Sequence, residues 1–542
     1  MRWEKVPGLL AAGSLAAAYT GDFARVSEIY LHDPGREASF VARAQQLAAR
    51  QGAEQAALAA VVEEYNRRIG NAPAALENAR RLADRETMAV VTGQQAGVLT
   101  GPLYTVYKAL QAVSLAAEMS ALLGKPVVPV FWIASEDHDL TEIDHLDLID
   151  RQGQLQRLRL NLDAPSHRSA GQVEAGTAAQ TLLREMLQHL PETEFTPALA
   201  ADLEGLTAPG GSLADWFARI MAWLLGERGL VLFDPMEPAL RRLAGPFVSR
   251  LLQRNEALTG ALLQGEEMVR RLGFQPTVQR EDGAANLFLY EEGARLPLFR
   301  REGGFATRGG PLHSLDELQG LAQAEPERFS GNVVTRPLIQ DYLLPTLAYV
   351  AGPGEISYYG LYRPVYAAAG LEPPVYVPRA NLTLMEPTAA RALEKQGLTV
   401  EQALFGLEEA RREVLEREDR IGLTGLFAAF REDFDRRYGQ VVEQVLTLDR
   451  SLEQVAQENV RQIHAQFGRL EEKARQQHRK NSEVAMRQFD RLALLLRPRD
   501  QPQERVFNIL PYLAKFGPDM IAALAQVPAA RGGHFAVWLG GA

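Results

Sequence analysis

The stretch MAVVTGQQAGVLTGPLYTVYKALQAVSLAAEMSALLGKPVVPVFWIA (residues 88–134) decides the fold class of this chain. Its first residues have the pattern of a short apolar strand, its glycine-rich middle is typical of a loop, and Leu103 to Gly124 has helical periodicity. The closing VVPVFWIA is too apolar for a strand with one face in water, which favours a sheet covered on both sides. A strand, loop, helix and strand in this order predict two parallel strands of an α/β fold.

Helical and strand patterns continue on both sides of this unit. Residues 37–85 carry apolar side chains at three- and four-residue spacing, which predicts a helical lead-in packed on the core. Downstream, residues 143–150, 155–162 and 229–235 have strand patterns, and residues 176–226 are predicted to be mainly helical.

The second half of the core repeats the same order of elements after an insertion. Residues 277–310 alternate and contain DG, EG and GG, so they predict antiparallel hairpins inserted in the main sheet. Residues 346–371 and 373–384 again follow the order of strand, glycine loop, helix and strand. The core is therefore expected to resume after the insertion.

From about Val400 to Arg497 the composition shifts to Glu, Gln, Arg and Leu, which predicts long helices. A near-heptad stripe in this region consists of Val445, Leu448, Leu452, Val455, Asn459, Ile463, Phe467, Leu470 and Ala474. An antiparallel helical pair or coiled coil fits this stripe best, with an imperfect supercoil near Asn459. The predicted units are a helical lead-in (1–87), the α/β core (88–399), the helical extension (400–497) and a C-terminal segment returning to the core (498–542).

The composition excludes several classes of protein. The chain has 542 residues, 46% of them hydrophobic, and a formal net charge of -10 with both signs spread along most of its length. Because no broad basic field is present, we expect no nucleic-acid partner. The lack of cysteine excludes disulfides, thiolate metal ligands and a cysteine nucleophile. No run approaches the ~20 apolar residues of a membrane span, so we expect a soluble, cytoplasmic protein without membrane partners.

The loop TGQQAGVLTGP (residues 92–102) is the first candidate ligand site. It leads from a strand into a helix, where free backbone N–H groups and the helix dipole hold anions. It has neither a P-loop lysine nor GxGxxG spacing, and the alternative is a tight turn that needs glycines. The candidate binding residues here and nearby are Thr92, Gly93, Gln94, Gln95, Gly97, Thr100, Gly101, Tyr104 and Trp132.

The second candidate site follows the strand VVPVFWIA and consists of Glu136, Asp137, His138 and Asp139. Ligands of open parallel sheets bind just past the carboxyl ends of the strands. Carboxylates and an imidazole there can bind a metal, orient an amine or act as acid and base. His145 is seven residues after His138 and points to the opposite face if the segment is a strand, so we predict no two-histidine metal site.

A third cluster lies in residues 333–356. Gly352 and Gly354 follow an apolar strand, and Glu355 falls in the first turn of the next helix. This second loop would face the first loop across the sheet.

Arginines near this second loop predict an anionic ligand. Arg336 and Gln340 are four residues apart and project from one helix face, and Arg379 lies at another strand end. Guanidinium groups in such places suit carboxylates or phosphates. Each arginine alone is more often a structural ion pair, but together they favour an anionic substrate or a nucleotide.

Five segments resemble, in the same order and over essentially the whole chain, the BshC family of bacillithiol biosynthesis. They are residues 92–110, 126–139, 333–356, 377–384 (VPRANLTL) and 502–513 (PQERVFNILPYL). The resemblance implies a Rossmann-like core, similar to class I aminoacyl-tRNA synthetases, with inserted connecting segments and a coiled-coil extension that helps form a homodimer. The HIGH and KMSKS motifs of the synthetases are absent, so ATP chemistry rests on analogy.

The family is held to join the carboxylate of cysteine to the amine of glucosaminyl-malate, which completes bacillithiol. Amide formation from a free carboxylate requires activation, so the resemblance implies ATP or another nucleotide as a co-substrate. The loop of residues 92–101 would hold a nucleotide phosphate or the activated carboxylate. Arg336 and Arg379 would bind the malate carboxylates.

The acidic cluster would then supply acid and base chemistry. His138, supported by Asp137, would accept the proton of the attacking amine, and Glu136 or Asp139 would hold the ammonium or the sugar. Two alternatives stay open on the sequence alone. One is a metal-dependent hydrolase that uses the same four residues as ligands, and the other is a non-enzymatic assembly protein whose coiled coil is the working part.

Overall fold

The computed structural model describes residues 2–10, 13–50, 52–162, 165, 167–207, 210–278, 281–418, 422–481 and 483–540. The chain divides into two compact units, Met1–Leu384 together with Gln503–Ala542, and Met385–Pro502. None of the helices within these ranges combines the length and the apolar character needed to cross a membrane.

A parallel five-stranded sheet is the main sheet of the first unit. The strands of the chain are β1 (Arg2–Val6), β2 (Met88–Gln94), β3 (Val127–Ile133), β4 (His145–Ile149), β5 (Leu155–Arg159), β6 (Val231–Phe233), β7 (Ala284–Glu291), β8 (Ala294–Arg301), β9 (Gly304–Ala306), β10 (Phe329–Gly331), β11 (Thr346–Ala351), β12 (Val375–Pro378), β13 (Asn381–Met385) and β14 (His534–Trp538). The main sheet has the order β12-β11-β2-β3-β6, and all of its neighbours are parallel.

This strand order identifies the fold. Numbered from β2 along the chain and read from β6, the order is 3-2-1-4-5, the doubly wound arrangement of Rossmann folds. The prediction of an α/β, Rossmann-like core is therefore confirmed. The order reverses between β2 and β11, and ligands of such sheets bind at the carboxyl ends of the two strands that flank this switch point.

Helices account for most of the remaining described structure. They are α1 (Leu15–Gly21), α2 (Glu37–Ala48), α3 (Gln55–Arg68), α4 (Pro73–Arg81), α5 (Leu103–Leu123), α6 (Gly176–His189), α7 (Thr196–Leu206), α8 (Leu213–Leu225), α9 (Pro238–Gln253), α10 (Asn255–Arg271), α11 (Leu315–Ala324), α12 (Arg336–Leu343), α13 (Pro353–Tyr359), α14 (Arg363–Ala369), α15 (Pro387–Gln396), α16 (Val400–Phe405), α17 (Leu407–Glu418), α18 (Leu423–Leu446), α19 (Glu453–Asn481), α20 (Glu483–Leu496), α21 (Gln503–Val506), α22 (Leu510–Phe516) and α23 (Asp519–Leu524).

The unit formed by β2, α5 and β3 has the predicted form. All of β3 and all but the last residue of β2 are buried, as expected for strands covered on both faces. The two strands pair in parallel from Met88 with Val127 to Gln94 with Ile133. Helix α5 ends at Gly124, which has a left-handed φ of 63° that a residue without a Cβ adopts at low cost.

The predicted insertion forms a sheet of its own. Residues 284–306 are antiparallel hairpins as expected, but β7, β8 and β9 join β10 in the order β10-β7-β8-β9 and do not extend the main sheet. The physical reason is burial: β8 has half-buried and exposed positions, whereas the strands of the main sheet need cover on both faces. Gln279 and Arg280 of the predicted insertion lie outside the described residues.

The helical lead-in closes one edge of the main sheet. Asn66 on α3 donates from Nδ2 to the carbonyl of Leu232 at 2.8 Å and accepts from the Leu232 N–H at 2.9 Å. Leu232 belongs to the edge strand β6, so the amide side chain takes the place of a neighbouring strand. Asn71 fixes this arrangement by donating to Asn66 Oδ1 at 2.7 Å.

The second compact unit begins earlier and ends later than the predicted boundaries at residues 400 and 497. Helix α15 belongs to it because α15 packs on α20, where Gln396 donates to Gln488 at 2.5 Å. The composition of α15 resembles that of the core, so the sequence did not indicate this contact.

Helices α18 and α19 form the predicted antiparallel pair. Phe467 of α19 packs edge-on against Phe430 and Phe434 of α18, with ring centroids 4.9 and 5.3 Å apart. The predicted stripe is not continuous, because the chain turns between Leu446 and Glu453. At this turn the carboxylate of Asp449 accepts from the Ser451 N–H at 2.8 Å, a local bond that competes with helix continuation.

The contact between Asn66 and Leu232 generates a stability prediction. Asn66→Ala leaves the buried N–H and C=O of Leu232 unpaired and should lower the free energy of unfolding by about 2–4 kcal/mol. Asn78→Ala, which removes one half-buried bond to the Gly229 carbonyl, should cost about 1 kcal/mol or less. Urea unfolding followed by circular dichroism measures both, and equal losses would contradict the edge-closing role of Asn66.

Candidate active site

An open cavity of about 600 Å³ lies at the carboxyl ends of β2 and β11, at the switch point of the main sheet. The predicted site residues that line it are Gly93, Gln94, Gln95, Tyr104, Trp132, Glu136, Asp137, His138, Arg336, Gly352, Gly354, Glu355 and Arg379. The predicted site residues that do not line it are Thr92, Gly97, Thr100, Gly101, Asp139 and Gln340. The fold thus brings all three candidate clusters to one cavity, which lies where parallel sheets bind their ligands.

The first residues of the first loop line the cavity. A Cβ on Gly93 would lie 2.9 Å from the Trp132 carbonyl oxygen, so this position requires glycine. Gln94 donates to the Tyr104 hydroxyl at 3.1 Å, and Gln95 donates to Asp137 Oδ2 at 2.8 Å. These side chains are therefore held in fixed positions along the cavity wall.

The rest of the first loop has a structural role, which corrects the sequence interpretation. Thr92 donates to the Val350 carbonyl at 3.0 Å and so ties β2 to β11. A Cβ on Gly97 would lie 2.8 Å from the Gly101 Cα, so the two glycines allow the loop to fold closely on itself. Thr100 is fully buried and has a left-handed φ of 83°. These residues shape the turn beneath the cavity, as the alternative of a tight turn predicted.

The start of α5 does not form the expected anion cradle. The N–H of Leu103, its first residue, donates to the Phe507 carbonyl at 2.8 Å. Asn508, from the segment after the second unit, donates to the carbonyls of Leu99 at 2.5 Å and Gly101 at 2.8 Å. The Leu103 N–H is thus not available to an anion, and Asn508 fixes the carbonyls of the preceding loop.

A buried ion pair joins the first loop to the second loop. The Lys108 ammonium, on α5, donates to the Gly93 carbonyl and to Glu355 Oε2, both at 2.7 Å. Glu355 also accepts from the Tyr349 hydroxyl at 2.7 Å and from the Gly352 N–H at 2.6 Å. Burial alone would raise the pKa of Glu355, but the charge and hydrogen bond of Lys108 outweigh it and hold the pKa below its ordinary value.

The sequence interpretation missed Lys108, although a signal for it exists. It is the one charged residue between Leu103 and Ala117 in an apolar helix, and a lone lysine there needs a buried partner. Glu355 was placed correctly in the first turn of its helix, but its carboxylate is saturated by protein donors. The Glu355 carboxylate therefore holds Lys108, Tyr349 and Gly352 in place.

Glu136 and Asp139 both have partners within the protein. Glu136 is buried and forms an ion pair with Arg241 at 3.0 Å. Asp139 accepts from the Thr141 hydroxyl at 2.7 Å and lies outside the cavity lining. Glu136 nevertheless lines the cavity, so its assignment to the ammonium or the sugar stays a prediction, whereas Asp139 is not part of the lining.

Asp137 and His138 face the cavity. The hydrogen-bond partner of His138 is Arg295 of β8, with Nη1 3.1 Å from Nδ1, and the carboxylate of Asp137 is bonded to Gln95 instead. Burial, and after it the positive charge of Arg295, lower the pKa of His138 below its ordinary value of 6.5. No sequence pattern pointed to Arg295, because it comes from the inserted sheet.

Arg336 stands out among the cavity cations because its partners are neutral. Its guanidinium donates to Gln340 Oε1 and to the Tyr359 hydroxyl, each at 3.0 Å. Its central carbon lies 5.8 Å from the ring centroid of Trp132 and 5.6 Å from that of Tyr349. Within the described ranges no carboxylate forms an ion pair with Arg336. Gln340 lies behind Arg336, which corrects its assignment as a ligand residue.

Arg379 lines the cavity, but its charge is compensated. It forms a buried ion pair with Glu504 at 2.5 Å and donates to the Ala380 carbonyl at 3.1 Å. Glu504 comes from the segment 502–513, in which the neighbouring Arg505 also lines the cavity. Arg379 is therefore held by a structural ion pair. Its binding of a malate carboxylate stays a prediction.

The described residues contain no group of three or more His, Cys, Asp or Glu side chains arranged to hold a metal ion. His138 bonds to Arg295, while His145 on β4 bonds to Asp144 at 2.9 Å. This geometry gives no support to the metal-dependent hydrolase.

Comparisons with known proteins agree with the fold. Residues 1–380 match the family described as "Bacillithiol biosynthesis BshC, N-terminal Rossmann-like domain", and residues 382–538 match "Bacillithiol biosynthesis BshC, C-terminal coiled-coil domain". A solved structure titled as a putative arginyl-tRNA synthetase from Campylobacter jejuni is 10% identical and covers 81% of this chain and 93% of its own, with a TM-score of 0.21. Because that score is low, the similarity to class I synthetases stays a prediction.

Full-length relatives carry one common name, "Putative cysteine ligase BshC". The protein of Symbiobacterium thermophilum is 47% identical over 99% of this chain and 100% of its own length. Those of Heliobacterium modesticaldum and Geobacillus kaustophilus are 38% and 34% identical, each over 97% of this chain and 98% of its own length. Because both family matches and these end-to-end similarities cover nearly the whole chain, it belongs to the BshC family of bacillithiol biosynthesis.

Proposed function

We propose that this chain is a ligase that joins the carboxylate of L-cysteine to the amine of glucosaminyl-malate in the last step of bacillithiol biosynthesis. Membership of the BshC family and the name of the relatives support a cysteine ligase. The observation that carries the proposal is one cavity that brings together a half-buried guanidinium, Arg336, for which the described residues show no ion pair, and a carboxylate and an imidazole, Asp137 and His138. Such a cavity suits an acceptor that carries both carboxylates and an amine.

Arg336 is the residue we assign to a malate carboxylate. Its neutral partners fix the guanidinium plane without neutralising its charge. An anion in the cavity would supply the missing charge, and a planar guanidinium can bind a carboxylate through two parallel hydrogen bonds. Arg505, exposed at the cavity, adds a second positive charge for a dianionic ligand.

Activation of the cysteine carboxylate requires a nucleoside triphosphate as co-substrate. The residues present fit a flat, anionic ligand, because Trp132, Tyr349 and Tyr358 offer aromatic faces and Arg336 offers positive charge. The Gly352 N–H, in contrast, is already bonded to Glu355 and is not free for phosphate. The cytoplasmic location stays a prediction.

The chain's own residues would then organise the reaction. Lys108 and Glu355 keep the two loops at a fixed distance, and Arg336 orients the acceptor. The C–N bond forms as the C–O bond to the activating group breaks, and the amine releases a proton. Asp137 and His138 line the cavity in which that proton is released.

Incubation of the purified chain with glucosaminyl-malate, cysteine and ATP tests the proposal. The expected result is bacillithiol together with an equal amount of consumed nucleotide, measured by mass spectrometry and nucleotide analysis. Serine in place of cysteine is the matched control. Failure to form the thiol with any nucleoside triphosphate would count against the ligase, and hydrolysis of glucosaminyl-malate would favour the hydrolase.

Arg336 gives a second prediction. Arg336→Ala should weaken the binding of glucosaminyl-malate about 10- to 100-fold, because a buried charge-assisted pair contributes about 1.5–3 kcal/mol. Arg336→Lys keeps the charge but loses the planar contacts, and it should be intermediate. Isothermal titration calorimetry measures the affinity. Arg363→Ala, an exposed arginine bonded to the Glu28 carbonyl at 2.7 Å, is the control and should bind normally.

The second unit supports a further part of the proposal, a homodimer through the helical pair. Large apolar side chains remain exposed along α18, α19 and the turn between them, and such a patch marks an interaction surface. They are Leu426, Phe430, Val441, Leu448, Leu452, Val455 and Leu470. A second copy of this pair would cover them.

Charge placed on that surface should break the dimer. Val441→Glu, at a position whose side chain is 57% exposed, should shift the full chain from dimer to monomer mass in sedimentation equilibrium. Gln440→Glu adds the same charge at a neighbouring exposed position that points elsewhere on the helix, and it should stay dimeric. A monomeric wild type, or a dimeric Val441→Glu, would refute this interface.

A further inference from the structure

His138 is held by a residue of the inserted sheet. Arg295 on β8 places Nη1 3.1 Å from the Nδ1 atom of His138. The other donors of Arg295 are also occupied, since Nε donates to the Ser330 hydroxyl at 2.9 Å and Nη2 donates to the Gly331 carbonyl at 2.7 Å. Its guanidinium carbon lies 3.8 Å from the ring centroid of Phe288, so the group is clamped in one orientation.

This contact determines which ring nitrogen of His138 can carry a proton. A guanidinium has five N–H donors, no acceptor, and no neutral form in proteins. The Nδ1 atom that faces it must therefore be the acceptor. A neutral imidazole has one N–H, so its proton must be on Nε2.

The Nε2 atom is the nitrogen left for a ligand. His138 lines the cavity, and within the part of the chain that the structure describes its Nε2 has no hydrogen-bond partner. Nε2–H is a donor and not an acceptor. An imidazole bound in this way cannot take up a proton from an amine unless it first releases Arg295.

We propose that Arg295 is a positioning residue that holds His138 as its Nε2–H tautomer, so that His138 donates a hydrogen bond to a ligand oxygen and does not act as the general base. This rests on the proposed function for the identity of that oxygen, which is a carbonyl or acyl oxygen of the substrate. A donor aimed at an oxygen that gains negative charge stabilises the transition state of acyl transfer. The proton released by the amine then passes to the carboxylate of Asp137, whose Oδ2 is oriented by Gln95 at 2.8 Å.

The charges around His138 agree with a neutral ring at pH 7. The groups that face it are Arg295 on β8, His167 with a ring centroid 5.4 Å away, and Asp137 and Asp139 on its own loop. Burial, followed by Arg295, lowers the pKa of His138 and outweighs the two carboxylates. A pKa below the ordinary value favours the neutral ring at pH 7, so the arrangement is present at neutral pH and is lost on acidification.

Nitrogen NMR of the full chain labelled with ¹⁵N-histidine tests the tautomer directly. Two-bond ¹H–¹⁵N correlations distinguish Nδ1–H, Nε2–H and imidazolium, and loss of signals in His138→Gln assigns the resonances of His138. The expected result at pH 7 is the pure Nε2–H pattern, with a titration midpoint below 6.5. An Nδ1–H pattern, or an imidazolium at pH 7, would overturn the proposal without any reference to ligase activity.

Variants of Arg295 test the cause of this tautomer. Arg295→Gln removes the charge and should raise the midpoint of His138 and move its shifts toward a mixture of tautomers. Arg295→Lys keeps a cationic donor and should preserve the wild-type pattern. Arg300→Gln is the matched control on the same strand, since Arg300 pairs at the surface with Glu256 at 3.2 Å. Unchanged His138 signals in Arg295→Gln would overturn the role assigned to Arg295. If that variant does not fold, the spectra of the wild type and of Arg295→Lys decide whether His138 is held as the Nε2–H tautomer.

Turnover then separates a donor from a base. Glutamine has an amide N–H that can replace the Nε2–H donor, but it has no basicity near pH 7. We expect His138→Gln to retain at least ten times the kcat of His138→Ala, with KM less affected. Equal loss of kcat in both variants would contradict the donor role. An absence of turnover in the wild type would contradict the ligase proposal, and the NMR result would then decide the tautomer by itself.

Discussion

The active-site cavity depends on one buried ion pair between the ammonium of Lys108 and the carboxylate of Glu355. Lys108 is anchored at the Gly93 carbonyl, where β2 ends, and Glu355 sits in the first turn of the helix that follows β11. The pair therefore spans the switch point of the sheet, and Tyr349 and the Gly352 backbone complete it. Removing the carboxylate would leave the buried ammonium of Lys108 without its counter-ion, which costs about 3–5 kcal/mol in such sites.

Ion pairing distinguishes the structural cations in and next to the cavity from Arg336, which we assign to a ligand. Arg241 is neutralised by Glu136 and Arg379 by Glu504, so these pairs hold loops and segments together. Arg336 is oriented by an amide and a phenol that carry no charge. Arg336 is half-buried at the cavity wall and has no ion pair within the described residues, so its guanidinium can still take a carboxylate or phosphate ligand, which is why Arg336 marks the proposed binding site.

The positions of site residues were predictable where a strand ends and unpredictable where distant segments meet. Three segments lie at or just after the carboxyl ends of strands in a parallel sheet: residues 93–95, 136–138 and 352–355. Because such sheets bind ligands at these ends, the sequence predicted that the three segments would meet at one cavity. Arg295 and Glu504 come from an inserted hairpin and from the segment after the second unit, and no local pattern connects them to His138 or Arg379. Asp139 shows the opposite error, because proximity in sequence to His138 did not place its carboxylate in the cavity.

The sequence by itself determined the doubly wound core, the antiparallel helical pair and the family. It did so because strand burial, helix periodicity and glycine at turns are local consequences of side-chain size, polarity and backbone freedom. Only the tertiary structure decided which charges are paired, that Gly97, Thr100 and Gly101 lie outside the cavity lining, and that Nδ1 of His138 faces a guanidinium. Those outcomes depend on distances between residues far apart in the chain, and hydrogen bonds and ion pairs are made or lost within about 1 Å.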